Sequence, residues 1–179
     1  MLFKYLRYKL WFVFELPQFI YERKFKKGVE LGAKGGRSLK RVLAKNKDIE
    51  MIGLDFWEIT PGKAYKDNKL NEEICKKAVA KFGNRVTLYK GDANDIADKI
   101  DDQSIDFVFY DLYNFRVSNK NLHQSIIKKW IPKIRKGGVM IGRDFHNADI
   151  SEAISELGFK IEPCIIKGKA SERLKYFTI

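Results

Sequence analysis

Hydrophobic positions along this 179-residue chain follow two alternating rhythms from residue 28 onward. Short, mostly apolar runs rich in Val, Ile and Phe alternate with stretches in which apolar positions recur every three or four residues. The runs Gly28–Gly32, Glu50–Asp55, Val86–Tyr89, Ser104–Asp111 and Gly138–Asp144 read as strands. The fourth, SIDFVFYD, is apolar throughout its middle, as a strand covered on both faces must be. Between them, Gly36–Lys45 reads as a helix with Leu39, Val42 and Leu43 inward, and Asn71–Phe82 as one with Ile74, Ala78 and Phe82 at spacing four. A short helix falls near Asp95–Ile100. Asn119–Ile131 carries Leu122, Ile126, Ile127, Trp130 and Ile131 on one stripe, closed by Pro132 and the Gly137-Gly138 pair. Ile150, Ala153, Ile154 and Leu157 mark a last helix, with Gly158 after its end.

Strands alternating with helical patterns predict right-handed βαβ units and a parallel sheet covered on both sides. The ending departs from that rhythm. Two further strands, about Lys160–Ile166 and Leu174–Ile179, are joined only by Lys167-Gly168-Lys169, which makes a hairpin and reverses one strand. The expectation is an α/β, doubly wound, mostly parallel seven-stranded sheet with a reversed last strand, preceded by an aromatic N-terminal helix.

Two units are expected: an N-terminal aromatic and basic helical segment at 1–27 and the α/β domain at 28–179. The first 21 residues concentrate Phe, Tyr, Trp and Leu, with Lys4, Arg7 and Lys9 interleaved. Three readings stay open for them: a helix laid across the domain's own sheet, a homo-oligomer contact, or a membrane-surface contact. The longest uncharged apolar run there, Leu10–Phe14, is far too short to span a bilayer. Two cysteines 89 positions apart argue against a disulfide framework or a structural zinc site, and the expected location is cytoplasmic, with peripheral membrane contact as the variant.

The net charge of +12 is unevenly spread. Residues 1–27 carry +5 and residues 116–137 carry +7 with no acid, whereas residues 28–115 are balanced. Basic patches of this kind attract nucleic acid, anionic lipid or anionic substrates; a lysine-rich solvated surface explains them equally well.

Ligands of doubly wound sheets bind outside the carboxyl ends of the strands. After the first strand stands Glu30-Leu31-Gly32-Ala33-Lys34-Gly35-Gly36-Arg37-Ser38. Its glycines permit close backbone approach at a helix start, but the G-x-G-x-x-G spacing of a dinucleotide site is absent, because Lys34 follows Gly32 by two. Glu30 would repel a pyrophosphate and suits a cationic group such as an amino-acid ammonium. Asp55, at the second strand's end, is placed to accept hydrogen bonds from ribose hydroxyls. Gly91-Asp92-Ala93, after the third, puts a carboxylate where an adenine amino group could donate.

The ordered set VELGAKGGRSL, IGLD, KGDA, DFVFYD and KGGVMIGRD resembles the class I S-adenosylmethionine-dependent methyltransferases, over about residues 28–158. Within them it is closest to the small-molecule O-methyltransferase branch of catechol and sugar type, whose sheet is Rossmann-like. The resemblance implies S-adenosylmethionine as cofactor. It also implies a methionine-binding loop of Glu30, Gly32, Ala33, Lys34, Gly36 and Ser38. Asp55 would hold the ribose, Phe56 or Trp57 would pack on the adenine, and Gly91, Asp92 and Ala93 would border it. Asp111 would face the methyl-transfer site, and Tyr113, counted with the cofactor-binding residues, would with Trp57 wall an aromatic or sugar ring.

That branch often places a histidine three residues past the fourth strand's aspartate; here Asn114 stands there. Its metal-dependent members follow the fifth strand with an acid and then Asp or Asn, whereas Asp144 is followed by Phe145-His146-Asn147. Two readings remain. Asp111 and Asp144 bracket a divalent cation such as magnesium, or His146 acts as a metal-independent base oriented by Asp144. His123, on the helix of the basic segment, is expected at the surface.

The expected activity is methyl transfer to an oxygen of a small-molecule or sugar-like acceptor. Two other classes compete. A nucleic-acid (RNA) methyltransferase would use the same loop but usually shows an Asp/Asn-Pro-Pro-aromatic run after the fourth strand, where this chain has Asp111-Leu112-Tyr113-Asn114. A non-catalytic Rossmann-like binding protein would keep the sheet and lack the cofactor.

Overall fold

The computed structural model describes residues 14–57, 68–112 and 119–179. Within them, helix α1 (14–22) leads into β1 (Lys27–Leu31), α2 (Arg37–Lys45), β2 (Glu50–Asp55), α3 (Asn68–Val79), β3 (Val86–Lys90) and α4 (Ala93–Ala97). Then follow β4 (Ile105–Tyr110), α5 (Lys120–Trp130), β5 (Ile134–Gly142), α6 (Ala148–Glu156), β6 (Glu162–Ile166) and β7 (Lys169–Thr178). The seven strands form one sheet in the order β3-β2-β1-β4-β5-β7-β6. Strands β1 to β5 pair in parallel, and β7 runs antiparallel to both β5 and β6. Lys167 (φ 49°) and Gly168 (φ 73°) turn the closing hairpin in the left-handed region that a tight two-residue loop requires. The α/β sheet with a reversed last strand is therefore as the sequence predicts.

Side chains of β4 split by the strand's period of two. Phe107 and Phe109 enter one apolar cluster, with Leu39, Val42, Val139 and Ile141. Val108 and Tyr110 enter the cluster on the opposite face, with Ile126, Trp130, Met140 and Ile154. All six residues of β4 are buried.

Helix α1 belongs to the first of these clusters. Leu16, Phe19 and Ile20 are buried beside Cys164, Leu174 and Tyr176, and the Phe19 and Tyr176 ring centroids lie 5.5 Å apart. Asn46 donates to the Pro17 carbonyl oxygen over 3.2 Å. Its described residues thus lie across the domain's own sheet, the first of the three readings.

Three local expectations are corrected. Helix α3 turns Cys75 and Val79 inward and leaves Ile74 43% exposed, so its buried stripe is one residue out of phase with the Ile74-Ala78-Phe82 reading. Strand β5 starts at Ile134 rather than at Gly138, so the Gly137-Gly138 pair lies inside it. There the pairing of β4 with β5 shifts register, and a Cβ on Gly138 would fall 2.5 Å from the Asp106 carbonyl oxygen. On α5, His123 is not a surface residue: it is 1% exposed, while Leu122 is 38% exposed. Its Nδ1 shares a 2.6 Å hydrogen bond with the Tyr110 hydroxyl.

At the opposite end of the sheet Asp106, also buried, gathers three donors. It accepts from the Lys26 and Lys27 backbone N–H groups, over 2.5 and 2.8 Å, and from Arg135 Nε. Burial works against its charge, yet these donors hold it below the usual carboxylate range.

Candidate active site

The carboxyl ends of β1, β4 and β5 open into a cavity of about 980 Å³. Glu30, Gly32 and Lys34 line it from β1 and the loop after it, Asp111 from the end of β4, and Asp144 and His146 from the turn after β5. Leu16 and Pro17 of α1, Arg37 and Arg41 of α2, and Glu172 and Arg173 of β7 supply further wall.

Gly32 accounts for the closeness of the floor. Its φ is +92°, and a Cβ there would sit 2.4 Å from the Asp111 carbonyl oxygen, so only glycine lets the loop cross the end of β4. Gly36, at φ +71°, starts α2 with no side-chain cap. The loop is braced from β2. Asp55 Oδ2 accepts from the Lys34 N–H over 2.9 Å and Oδ1 accepts from the Trp57 N–H over 3.0 Å. Trp57, held at φ +43°, returns its Nε1–H to the Lys34 carbonyl over 2.8 Å. Asp55 therefore has one backbone donor on each oxygen and keeps a lone pair on each.

Glu30 is 2% exposed. Burial first, then the charge of Asp111, raise its pKa well above the ordinary carboxylate value, against the Ser38 hydroxyl and Leu39 N–H that donate to it. Asp111 is raised to about 6, chiefly by burial, with Asp144 adding and Arg143 opposing. Two such acids facing one cavity make a site that favours a cationic ligand.

Asp111 and Asp144 do converge, and the cation between them is a side chain. Arg143 Nε donates to Asp111 Oδ1 over 2.7 Å and lies 3.3 Å from Asp144 Oδ2. Burial opposes the Arg143 charge, but the two aspartates overcome it and raise its pKa. Among the described residues no group of three or more His, Cys, Asp and Glu side chains could hold a metal ion. Nor does Asp144 orient His146: the imidazole Nδ1 lies 3.2 Å from the Arg143 carbonyl oxygen instead.

Asp55, Phe56, Trp57, Gly91, Asp92 and Ala93, at and after the ends of β2 and β3, are not among the residues that line this cavity. Phe56 is 52% exposed and Trp57 3% exposed, so of the two only Phe56 presents a free ring. Asp92 caps α4 through the Asn94 N–H, over 2.7 Å. Gly91 donates to the Asp55 carbonyl oxygen, and buried Ala93 accepts from Trp130 Nε1. Tyr113 lies outside the described residues. Sequence reasoning missed Arg143, Arg37, Arg41 and Asn94. For Arg143 a signal was available: a cation beside Asp144 at a strand end that faces Asp111.

A family model for a methyltransferase domain matches residues 29–145. The chain belongs to that methyltransferase family. Its fold is shared with solved structures of low sequence identity. A Staphylococcus aureus protein designated a caffeoyl-CoA O-methyltransferase is 14% identical, with 93% of this chain and 82% of that one covered and a TM-score of 0.67. The S-adenosylhomocysteine-bound methyltransferase of Podospora anserina is 15% identical, covering 94% and 76% at a TM-score of 0.64. A Bacillus cereus O-methyltransferase in complex with S-adenosylhomocysteine is 15% identical, covering 92% and 79% at 0.61. No curated protein sequence matches the chain. No helix among the described residues is long and apolar enough to cross a membrane.

Proposed function

We propose that this methyltransferase uses S-adenosylmethionine to methylate an oxygen of a small-molecule acceptor bound beside α1. The observation that carries this reading is the buried Glu30 and the half-buried Asp111, both raised in pKa and facing one cavity in a methyltransferase-family chain. Carboxyls of this kind are eased by a cation, and the amino-acid end of the cofactor brings an ammonium beside a sulfonium.

Other residues fit the rest of that molecule. Gly32 lets the loop lie directly on the end of β4, where a Cβ would meet the Asp111 carbonyl oxygen. The free lone pairs of Asp55 suit ribose hydroxyls, and exposed Phe56 offers a ring face for the base. Asn94 Oδ1 is buried with no hydrogen-bond partner among the described residues, two positions past Asp92, and an exocyclic amino group is what such an acceptor lacks.

When bound, the cofactor supplies an activated methyl group on sulfur. The protein's own work is to align the acceptor oxygen and take its proton. His146 lines the cavity, and an Nδ1–H donated to the Arg143 carbonyl leaves Nε2 as the accepting nitrogen. Arg143 bridges Asp111 and Asp144 at the place where a magnesium ion was the alternative, and this supports metal-independent chemistry. The packing of Leu16 and Pro17 supports a role for α1 as the acceptor-side wall.

Incubation with methyl-labelled S-adenosylmethionine and a panel of phenols, sugars and hydroxy acids tests the assignment. Label in an ether or ester product, reduced at least tenfold by H146A, is the expected result. Label confined to nitrogen or RNA would contradict it.

A further inference from the structure

Between α1, α2 and β7 the cavity wall holds three arginines: Arg37, Arg41 and Arg173. Arg37 and Arg41 stand one helical turn apart on α2, on the same face. Arg37 is exposed and Arg41 half-buried, so they form an outer and an inner position along one wall. Arg41 Nη1 is enclosed and has no hydrogen-bond partner among the described residues. The Phe14 ring, 5.9 Å from the guanidinium, gives it an aromatic neighbour but no acceptor. Burial and the adjacent Arg37 charge both lower its affinity for the proton, and no acid offsets them. Glu172 also lines the cavity but is exposed, and nearby Glu15 is engaged by the Ser171 hydroxyl over 2.8 Å.

A guanidinium with one nitrogen enclosed and unpaired, beside a like charge, is destabilised unless something negative completes it. The guanidinium fork matches the oxygens of a phosphate or carboxylate in a two-point contact. Glu30 and Asp111, by contrast, make the sheet end of the same cavity acidic. The cavity is thus polarised, with a cation-seeking floor and an anion-seeking wall. Its volume is sufficient for a cofactor and a small second ligand together.

We propose that the acceptor carries a phosphate or carboxylate group, and that Arg41 and Arg37 hold the acceptor by it. This rests on the reading that the Glu30–Asp111 end takes the cofactor. The cofactor's own carboxylate is the other anion that could reach these arginines, so the test is run with the cofactor site already filled.

Inorganic phosphate and, separately, benzoate are titrated calorimetrically into protein saturated with S-adenosylhomocysteine. Wild type binds at least one of them. R41Q weakens that binding by about tenfold or more, R37Q by a smaller factor, and K77Q, a charge control on α3, leaves it unchanged. R41K, which keeps the charge and loses the fork, falls between wild type and R41Q. S-adenosylhomocysteine affinity measured on the same variants stays within about twofold. Absence of binding by either anion, binding indifferent to R41Q and R37Q, or displacement of S-adenosylhomocysteine by the anion would each overturn the proposal. If R41Q does not fold, R37Q and R41K decide it. If S-adenosylhomocysteine fails to bind wild type, the cofactor reading falls by itself. Anion binding to the unliganded protein, and its loss in R41Q, then judges the arginine site alone.

Discussion

Arg143 Nε donates to Asp111 Oδ1 over 2.7 Å, and the same nitrogen lies 3.3 Å from Asp144 Oδ2. One guanidinium thereby bridges the two acids that end β4 and follow β5 and offsets one of their two charges. R143A should leave the two carboxylates facing each other. Arg143 is exposed and the two acids are half-buried, so truncating it costs about 1 kcal/mol. The variant should therefore melt a few degrees lower and transfer methyl groups at least tenfold more slowly. Wild-type activity should be unchanged by a chelator, measured in the transfer assay. A loss on chelation that added magnesium restores would show that the Arg143 bridge is displaced in the working enzyme.

The raised pKa of Asp111 gives a pH dependence with a definite sign. Its folded value of about 6 lies above the ordinary 3.8, so the folded state holds this proton more tightly than the unfolded one. Ionising it therefore destabilises the unliganded protein progressively between about pH 4 and 6, by about 3 kcal/mol in all. A cationic ligand prefers the ionised form. S-adenosylhomocysteine affinity should rise from pH 5 to 7 and then level off, with protons released near pH 6 and few at pH 8. Calorimetry in two buffers of different ionisation heat measures this. Affinity that is flat over the range would contradict the placement of the cation beside Asp111.

His123 acts in the opposite direction. Burial lowers its pKa, and its Nε2 has no hydrogen-bond partner among the described residues. The neutral ring therefore contributes stability that is present above the unfolded pKa of about 6.5 and is lost as pH falls through the lower folded value. H123F should remove that part of the acid sensitivity in chemical denaturation between pH 6.5 and 5. It should cost about 1–2 kcal/mol at pH 8, because the buried Tyr110 hydroxyl loses its partner.

Asp106 is a purely structural test, far from the cavity. Its pKa is depressed, so its contribution is complete above the ordinary carboxylate value and is lost as pH falls through the lower folded one. D106N should destabilise the fold by about 2–4 kcal/mol, since Arg135 and two backbone N–H groups lose a charged acceptor. S-adenosylhomocysteine affinity of the folded fraction should not change. A loss of affinity beyond twofold would mean that the strand ends are coupled across the sheet.

The sheet was readable from sequence because strand signals are local: SIDFVFYD is buried on both faces, and Lys167-Gly168 can only turn tightly. Glu30, Gly32, Asp111, Asp144 and His146 were legible because topology alone brings strand ends to one cavity. What escaped depends on tertiary choices that periodicity does not carry. His123 satisfies the helical stripe as well as Leu122, and only the Tyr110 hydroxyl waiting in the core decides between them. Gly137-Gly138 reads as a stop, but its close approach to Asp106 makes it a bulge within β5. The role of Arg143 needed both aspartates in place, and that of Arg41 needed the packing of α1 against α2.

The central claim, that the acids at the carboxyl ends of the strands form a cofactor site, is tested most directly by titrating S-adenosylhomocysteine into wild type and E30Q by calorimetry. The account predicts one site per chain in wild type. In E30Q, which keeps the shape and removes the charge, affinity should fall roughly 10- to 100-fold, the worth of one charge-assisted hydrogen bond to the ammonium. Failure of wild type to bind S-adenosylhomocysteine while it binds NADH, or equal affinity of wild type and E30Q, would contradict it.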